Sequence, residues 1–228
     1  MAAMARILNL ETATTNCSVS ISEGDRIVFL QENNAMEYSH SEQLHIFIKE
    51  ALQGASLSFS DLDAVAISKG PGSYTGLRIG VSAAKGLCFS LDIPLISIST
   101  LESMAQQVAP KENAVVIPVL DARRMEVYSA VFEAGHKQIR ETRAEIINED
   151  SFQEFTDHNA VYLVGNGAQK CKDVLSHPNF HFLPEVMPSA KEMAVLSHTK
   201  YEAGHFEDVA YFEPYYLKDF VLQGKKKP

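Results

Sequence analysis

Apolar and polar residues alternate with a period of two along the start of the chain, which predicts strands at Arg6 to Glu11, Cys17 to Ser22 and Arg26 to Gln31. Val19 and Ile21 alternate with serines, and Ser22-Glu23-Gly24-Asp25 reads as a tight hairpin turn. The period then becomes helical. Leu44, Phe47, Ile48, Ala51 and Leu52 recur on one face, Ser39-His40-Ser41-Glu42 has the spacing of a capping box, and Gly54 stops the helix. A short apolar run, Ala64-Val65-Ala66-Ile67, enters the turn Gly70-Pro71-Gly72-Ser73-Tyr74-Thr75-Gly76, after which a helical pattern continues to about Leu91. Pro94 to Ile98 is a further strand, and Ser99-Thr100-Leu101-Glu102 suits the start of another helix.

Beyond about residue 110 the strand pattern restarts with Ala114 to Leu120, a turn at Asp121-Ala122-Arg123-Arg124, and Glu126 to Phe132. Ala160 to Val164 is a strand running into Gly165-Asn166-Gly167, an apolar helix follows Ser189, and Tyr211 to Leu217 carries an aromatic cluster. Strands mixed with helices imply α/β layers, and two successive β-meander units imply two lobes rather than one doubly wound sheet. The expected division is residues 4–105 and 106–228, with a C-terminal helix packing back on the first lobe.

Composition narrows the function. With 228 residues, 46% of them hydrophobic, the chain can bury a real core. It has no run of 18 uncharged apolar residues, and Met1 to Arg6 leads into a strand rather than a signal-peptide core, so a cytoplasmic protein without a membrane span is expected. Cys17, Cys88 and Cys171 lie far apart and form no Cys-x-x-Cys pair, which suggests buried thiols rather than a disulfide framework or a zinc site. The net charge of -9 repels a nucleic-acid backbone at long range and disfavours tight tRNA binding by this chain alone. Lys225-Lys226-Lys227 reads as a solvated terminus.

Three segments carry a family likeness: Ile7 to Thr14, Gly70 to Gly80, and Asp121-Ala122-Arg123-Arg124-Met125-Glu126-Val127-Tyr128. Together with Pro214-Tyr215-Tyr216-Leu217-Lys218 they resemble the TsaB (YeaZ) family, most strongly over residues 6–132. The resemblance implies an actin/hexokinase-like fold of two lobes, each a mixed sheet with flanking helices. It also implies a role beside TsaD, the subunit that transfers a threonylcarbamoyl group to the adenosine next to the tRNA anticodon, with a small ATPase, TsaE, working with the pair.

Glu11-Thr12-Ala13-Thr14-Thr15-Asn16 stands where the superfamily usually has an acidic residue and glycines near a nucleotide's phosphates, but it has no glycine for close backbone approach. The Gly70 to Gly76 loop fits two roles, an anion cradle at a helix N-terminus or a tight turn that lets the helix pack closely. It is not a Walker A loop, because no Gly-Lys-Ser/Thr follows. TsaD-like relatives carry a His-x-x-x-His metal pair, and the resemblance puts Thr100 and Met104 at those positions. His40 and His45 diverge around a helix, and His177 and His181 flank a Pro178-Asn179 turn. No catalytic residue, metal ligand or cofactor is therefore expected.

A partner surface is the remaining reading. Gly76, Gly80 and Ala84 form a small-residue stripe with Ala83 and Leu87 beside it, which suits close approach of another helix or internal packing against the chain's own sheet, and Leu44, Phe47 and Ile48 lie on the preceding helix. The resemblance implies that these two helices bind TsaD or form a homodimer, with tRNA engaged only in the complex. The expected function is a non-catalytic scaffold subunit. The alternative is an active nucleotide-dependent transferase or kinase-like enzyme using Glu11 and the Gly70 to Gly76 loop.

Overall fold

The structure, a computed structural model, describes residues 4–34 and 40–218. Two five-stranded mixed sheets with flanking helices build the fold, the α/β arrangement of two sheets that the sequence pattern predicts. The first sheet has the order β3-β2-β1-β4-β5, built from β1 (Arg6–Glu11), β2 (Asn16–Glu23), β3 (Arg26–Asn34), β4 (Ala64–Gly70) and β5 (Leu95–Ser99). β1, β2 and β3 form the antiparallel meander, whereas β4 and β5 run parallel to β1. The helices α1 (His40–Gly54) and α2 (Tyr74–Leu91) make the two long connections that parallel pairing requires.

Strand alternation supplies this sheet with two cores. Leu8, Leu10, Val19, Ile21, Val65 and Ile67 pack with Leu44, Ile48 and Ala84 of α1 and α2. The intervening Ile7, Ala64, Ala66, Ile96 and Ile98 face the opposite way and pack with Ala190 and Met193. Burial on both faces explains why β4 reads as a continuous apolar run rather than an alternating one.

The second sheet has the order β10-β9-β6-β7-β8, from β6 (Ala114–Asp121), β7 (Glu126–Glu133), β8 (Gln138–Ile146), β9 (Ala160–Val164) and β10 (Phe180–Leu183). Sequence patterning missed β8 and β10. β8 is a largely exposed edge strand with a mainly polar sequence, and β10 has only four residues. One face of the sheet packs on Phe152, Ala168 and Cys171, the last two from α4 (Ala168–Lys172). The other face packs on Leu101, Met104 and Ala105 of α3 (Thr100–Ala105), so the helix leaving the first sheet is the wedge beneath the second.

α5 (Met193–Glu202) returns from the second lobe to the first sheet. Polar pairs fix the seat of this helix and of the segment leading into it: Ser197 Oγ donates to Asn9 Oδ1 at 2.7 Å, Lys200 Nζ to Ser97 O at 2.7 Å, and, just before the helix, Ala190 N to Ser18 Oγ at 3.0 Å. All three cysteines are buried and free, and burial pushes the Cys17 thiol up to about 11. Among the described residues no helix is long and apolar enough to cross a membrane. The proposed Ser39 cap and the Lys225 to Lys227 tail lie outside the described residues.

Candidate functional site

The motif residues meet where β1 ends and α2 begins. After the cis Gly70–Pro71 peptide the chain turns beneath Ala13, whose carbonyl accepts the Ser73 N–H at 2.7 Å. Ser73 Oγ caps α2 by accepting the Gly76 N–H at 3.3 Å, and Thr12 Oγ1 donates to Gly76 O at 2.9 Å. The glycines mark close approach. A Cβ at Gly72 would overlap Ala13 O, one at Gly76 would overlap Thr12 O, and one at Gly80 would overlap Thr12 Oγ1 and stand 2.9 Å from Ile67 Cδ1. Of the two roles the loop fits, this geometry matches close packing: the β1 turn occupies the space in front of the glycines.

Glu11 lies inside this junction with no exposed surface. Its Oε1 accepts the Ala13 N–H at 2.6 Å and the Ser68 hydroxyl at 2.9 Å, whereas Oε2 is buried without a hydrogen-bond partner. Burial is the largest influence and raises the carboxyl pKa from 4.5 to about 7, opposed by the hydrogen bonds from Ala13 and Ser68. The Thr100 hydroxyl lies 3.2 Å from Ser68 Oγ, and Met104 packs with Leu101, Val116 and Leu120. His40 Nε2–H donates to Thr14 O at 2.6 Å, and burial lowers the His40 pKa, so the imidazole acts here as a neutral donor that ties α1 to the β1 turn.

The stripe proposed as a helix-contact surface needs correction. Gly76, Gly80 and Ala84 are buried, and their small size admits the β1 turn and β4 of the same lobe rather than a helix of another chain. Leu44, Phe47 and Ile48 also point inward, because the face of α1 that carries its apolar period is the face that covers the sheet. Ala83 and Leu87 differ. They are half-buried at the margin of that core with Ile79, on the side of α2 that also carries exposed Gly86. Ile46 of α1 is 55% exposed.

Sequence reasoning missed the role of the C-terminal segment, which straps the junction. Tyr215 N donates to Lys69 O at 2.8 Å, and Tyr215 O comes within 3.1 Å of where a Gly70 Cβ would stand. Arg78, one α-helical turn beyond Tyr74, lies over the Tyr74 ring at 4.2 Å and donates from Nε to the Tyr216 hydroxyl at 3.2 Å. Lys218 pairs with Glu126 of the second lobe. The aromatic cluster at Tyr211 to Leu217 was the available signal, but pairings so distant in sequence have no local period to reveal them.

The family model described as TsaD, tRNA N6-adenosine threonylcarbamoyltransferase, matches residues 34–223. The tRNA threonylcarbamoyladenosine biosynthesis protein TsaB of Escherichia coli is 30% identical over 227 residues, spanning 96% of this chain and 97% of that protein. TsaB of Haemophilus influenzae is 29% identical over 234 residues, with 96% of each chain covered. The solved structure of YeaZ from Pseudomonas aeruginosa aligns with a TM-score of 0.78 at 23% identity, covering 94% of this chain and 100% of that one, a likeness of fold. Matched from end to end by relatives of one name, and along most of its length by the wider transferase family, the chain belongs to the TsaB (YeaZ) family of tRNA threonylcarbamoyladenosine biosynthesis proteins.

Proposed function

We propose that this chain is a non-catalytic scaffold subunit that binds a TsaD-like transferase during threonylcarbamoylation of the adenosine next to the tRNA anticodon. The carrying observation is the packing of the glycine loop: the Ser73 and Gly76 N–H groups, which would face an anion at this helix start, are taken by Ala13 O and Ser73 Oγ. The rival enzyme reading draws no support from Glu11, whose carboxyl is fully buried under Ala13 and Ser68 rather than facing a cleft. The resemblance puts Thr100 and Met104 where TsaD-like relatives carry histidines; here Met104 packs in an apolar core and the buried Thr100 hydroxyl lies 3.2 Å from Ser68 Oγ.

The docking face in this reading is the outer margin of α2, Ile79, Ala83, Gly86 and Leu87, with Ile46 of α1. It takes TsaD, or a second copy of this chain when TsaD is absent. A TsaE-like ATPase joins the pair, tRNA is engaged only within the complex, and the assembly works in the cytoplasm.

Gly86→Arg tests the face cleanly, because a Cβ at Gly86 meets nothing within 4 Å and the variant should fold. A clash or a desolvated unpaired charge at an interface costs about 2–5 kcal/mol, so capture of the TsaD-like partner should weaken about 30-fold or more at a Tm no lower than that of the wild type. Full partner affinity in this variant would refute the face. Modification of tRNA by the isolated chain supplied with threonylcarbamoyl-adenylate would refute the non-catalytic reading.

A further inference from the structure

The β6–β7 hairpin carries an arrangement that the scaffold role does not use. Its turn places two consecutive arginines in left-handed backbone, Arg123 at φ 71° and Arg124 at φ 51°. That region is costly for side chains other than glycine and tends to persist where surrounding contacts hold it. Lys170 supplies the hold: its ammonium donates to Asp121 Oδ1 at 2.7 Å, Arg124 O at 2.6 Å and Glu126 O at 3.1 Å, while Asp121 Oδ1 also accepts the Arg123 N–H at 2.6 Å.

The charge balance of the turn follows from these pairs. Asp121 is neutralised by Lys170 and Glu126 by Lys218, so the two acidic groups that flank the turn are already matched. Arg123 and Arg124 are exposed, and among the described residues neither guanidinium makes a hydrogen bond or ion pair. A chain of net charge -9 thus presents two uncompensated guanidinium groups from consecutive residues of a pinned turn.

Their surroundings point to the kind of ligand. Tyr128, at the foot of the hairpin, lines one narrow cleft with Tyr74, Tyr216 and Lys218, and the Arg78 guanidinium carbon lies 4.2 Å from the centre of the Tyr74 ring. Cations interleaved with aromatic rings suit a single-stranded nucleic acid, whose phosphates pair with guanidinium groups and whose unstacked bases lie on tyrosine rings. An acidic protein surface would need the arginines alone. We propose that Arg123 and Arg124 bind RNA phosphates, with the Tyr128–Tyr216 cleft continuing the contact to unstacked bases, once a partner has delivered the RNA. This rests on the scaffold reading, because the net negative charge opposes capture of RNA by the chain alone.

The test uses the reconstituted complex of this chain with its TsaD-like partner and fluorescein-labelled substrate tRNA, read by anisotropy across a salt series. Arg123→Asn/Arg124→Asn suits the turn, since Asn tolerates left-handed backbone. The double variant should assemble with the partner like the wild type and bind tRNA about tenfold more weakly or worse, with the slope of log K against log salt reduced by about 1.4–1.8 for two lost phosphate contacts. Arg123→Lys/Arg124→Lys should keep the slope. Unchanged affinity and slope in the Asn variant overturn the proposal, as does tRNA affinity that is the same with and without this chain. Loss of partner assembly in the Asn variant also overturns it, by assigning the arginines to a protein contact. If the wild-type chain fails to assemble at all, the scaffold reading fails and takes this proposal with it.

Discussion

Gly80→Ala adds one methyl group to α2 at its closest approach to the β1 turn. That methyl would overlap Thr12 Oγ1 and press on Ile67 Cδ1, so the hydroxyl must leave its bond to Gly76 O. A fully buried hydroxyl deprived of its acceptor costs about 1–3 kcal/mol, overpacking costs a similar amount, and the better helix propensity of Ala returns about 1 kcal/mol. The net expectation is a loss of about 3 kcal/mol, or a fall in Tm of about 6–12 °C for a chain of this size. Urea unfolding should show a lower midpoint at constant m. Two companions isolate the cause. Gly86→Ala, in the same helix but with open space around it, should stabilise by about 0.5–1 kcal/mol. In a Thr12→Ala background, Gly80→Ala should cost about 1–2 kcal/mol less than in the wild type, because the obstructing hydroxyl is gone. A neutral or stabilising Gly80→Ala, or strict additivity with Thr12→Ala, would refute the internal role assigned to the stripe and reopen it as a surface for another helix.

Glu11 has a folded pKa raised from 4.5 to about 7, so its contribution to stability is full below pH 4.5 and is lost as pH rises through about 7. That displacement corresponds to about 3 kcal/mol, and Glu11→Gln should flatten the Tm profile between about pH 5 and 8 and melt higher than the wild type at the alkaline end. A steep profile retained in Glu11→Gln would contradict this. Ser197→Ala leaves buried Asn9 Oδ1 without its 2.7 Å donor; a loss of about 1–3 kcal/mol and faster amide exchange across α5 are expected, and unchanged exchange would show that this bond does not seat the helix. Arg140, 10% exposed, pairs with Glu145 at 2.6 Å and Glu154 at 3.3 Å and lies over Phe152 at 4.9 Å. Arg140→Lys should therefore lower the urea midpoint despite conserving charge, because an ammonium loses the forked geometry and the guanidinium's contact with the Phe152 ring, and an unaltered midpoint would count against both.

The sequence determined the elements whose periods are local. β1, β2, α1, β4, α2, β6 and β7 each carry an alternation, a continuous apolar run or a helical stripe long enough to read, and the glycine loop announced a close approach. Family likeness in residues 6–132 then fixed the expected two-lobed fold. What the sequence left open was the direction of that approach. Small residues at four-residue spacing allow another backbone to come near, and the same spacing serves a partner helix or the chain's own β1 turn equally well. Only the tertiary structure placed Thr12 against Gly76 and Gly80, which turned a proposed docking stripe into core. It likewise decided that Glu11 is a fully buried carboxyl, that α5 covers the second face of the first sheet, and that Arg78, Tyr74 and Tyr216 meet. These pairings join residues up to 188 positions apart, and a local hydrophobic period specifies which face of an element is buried without naming the element that buries it.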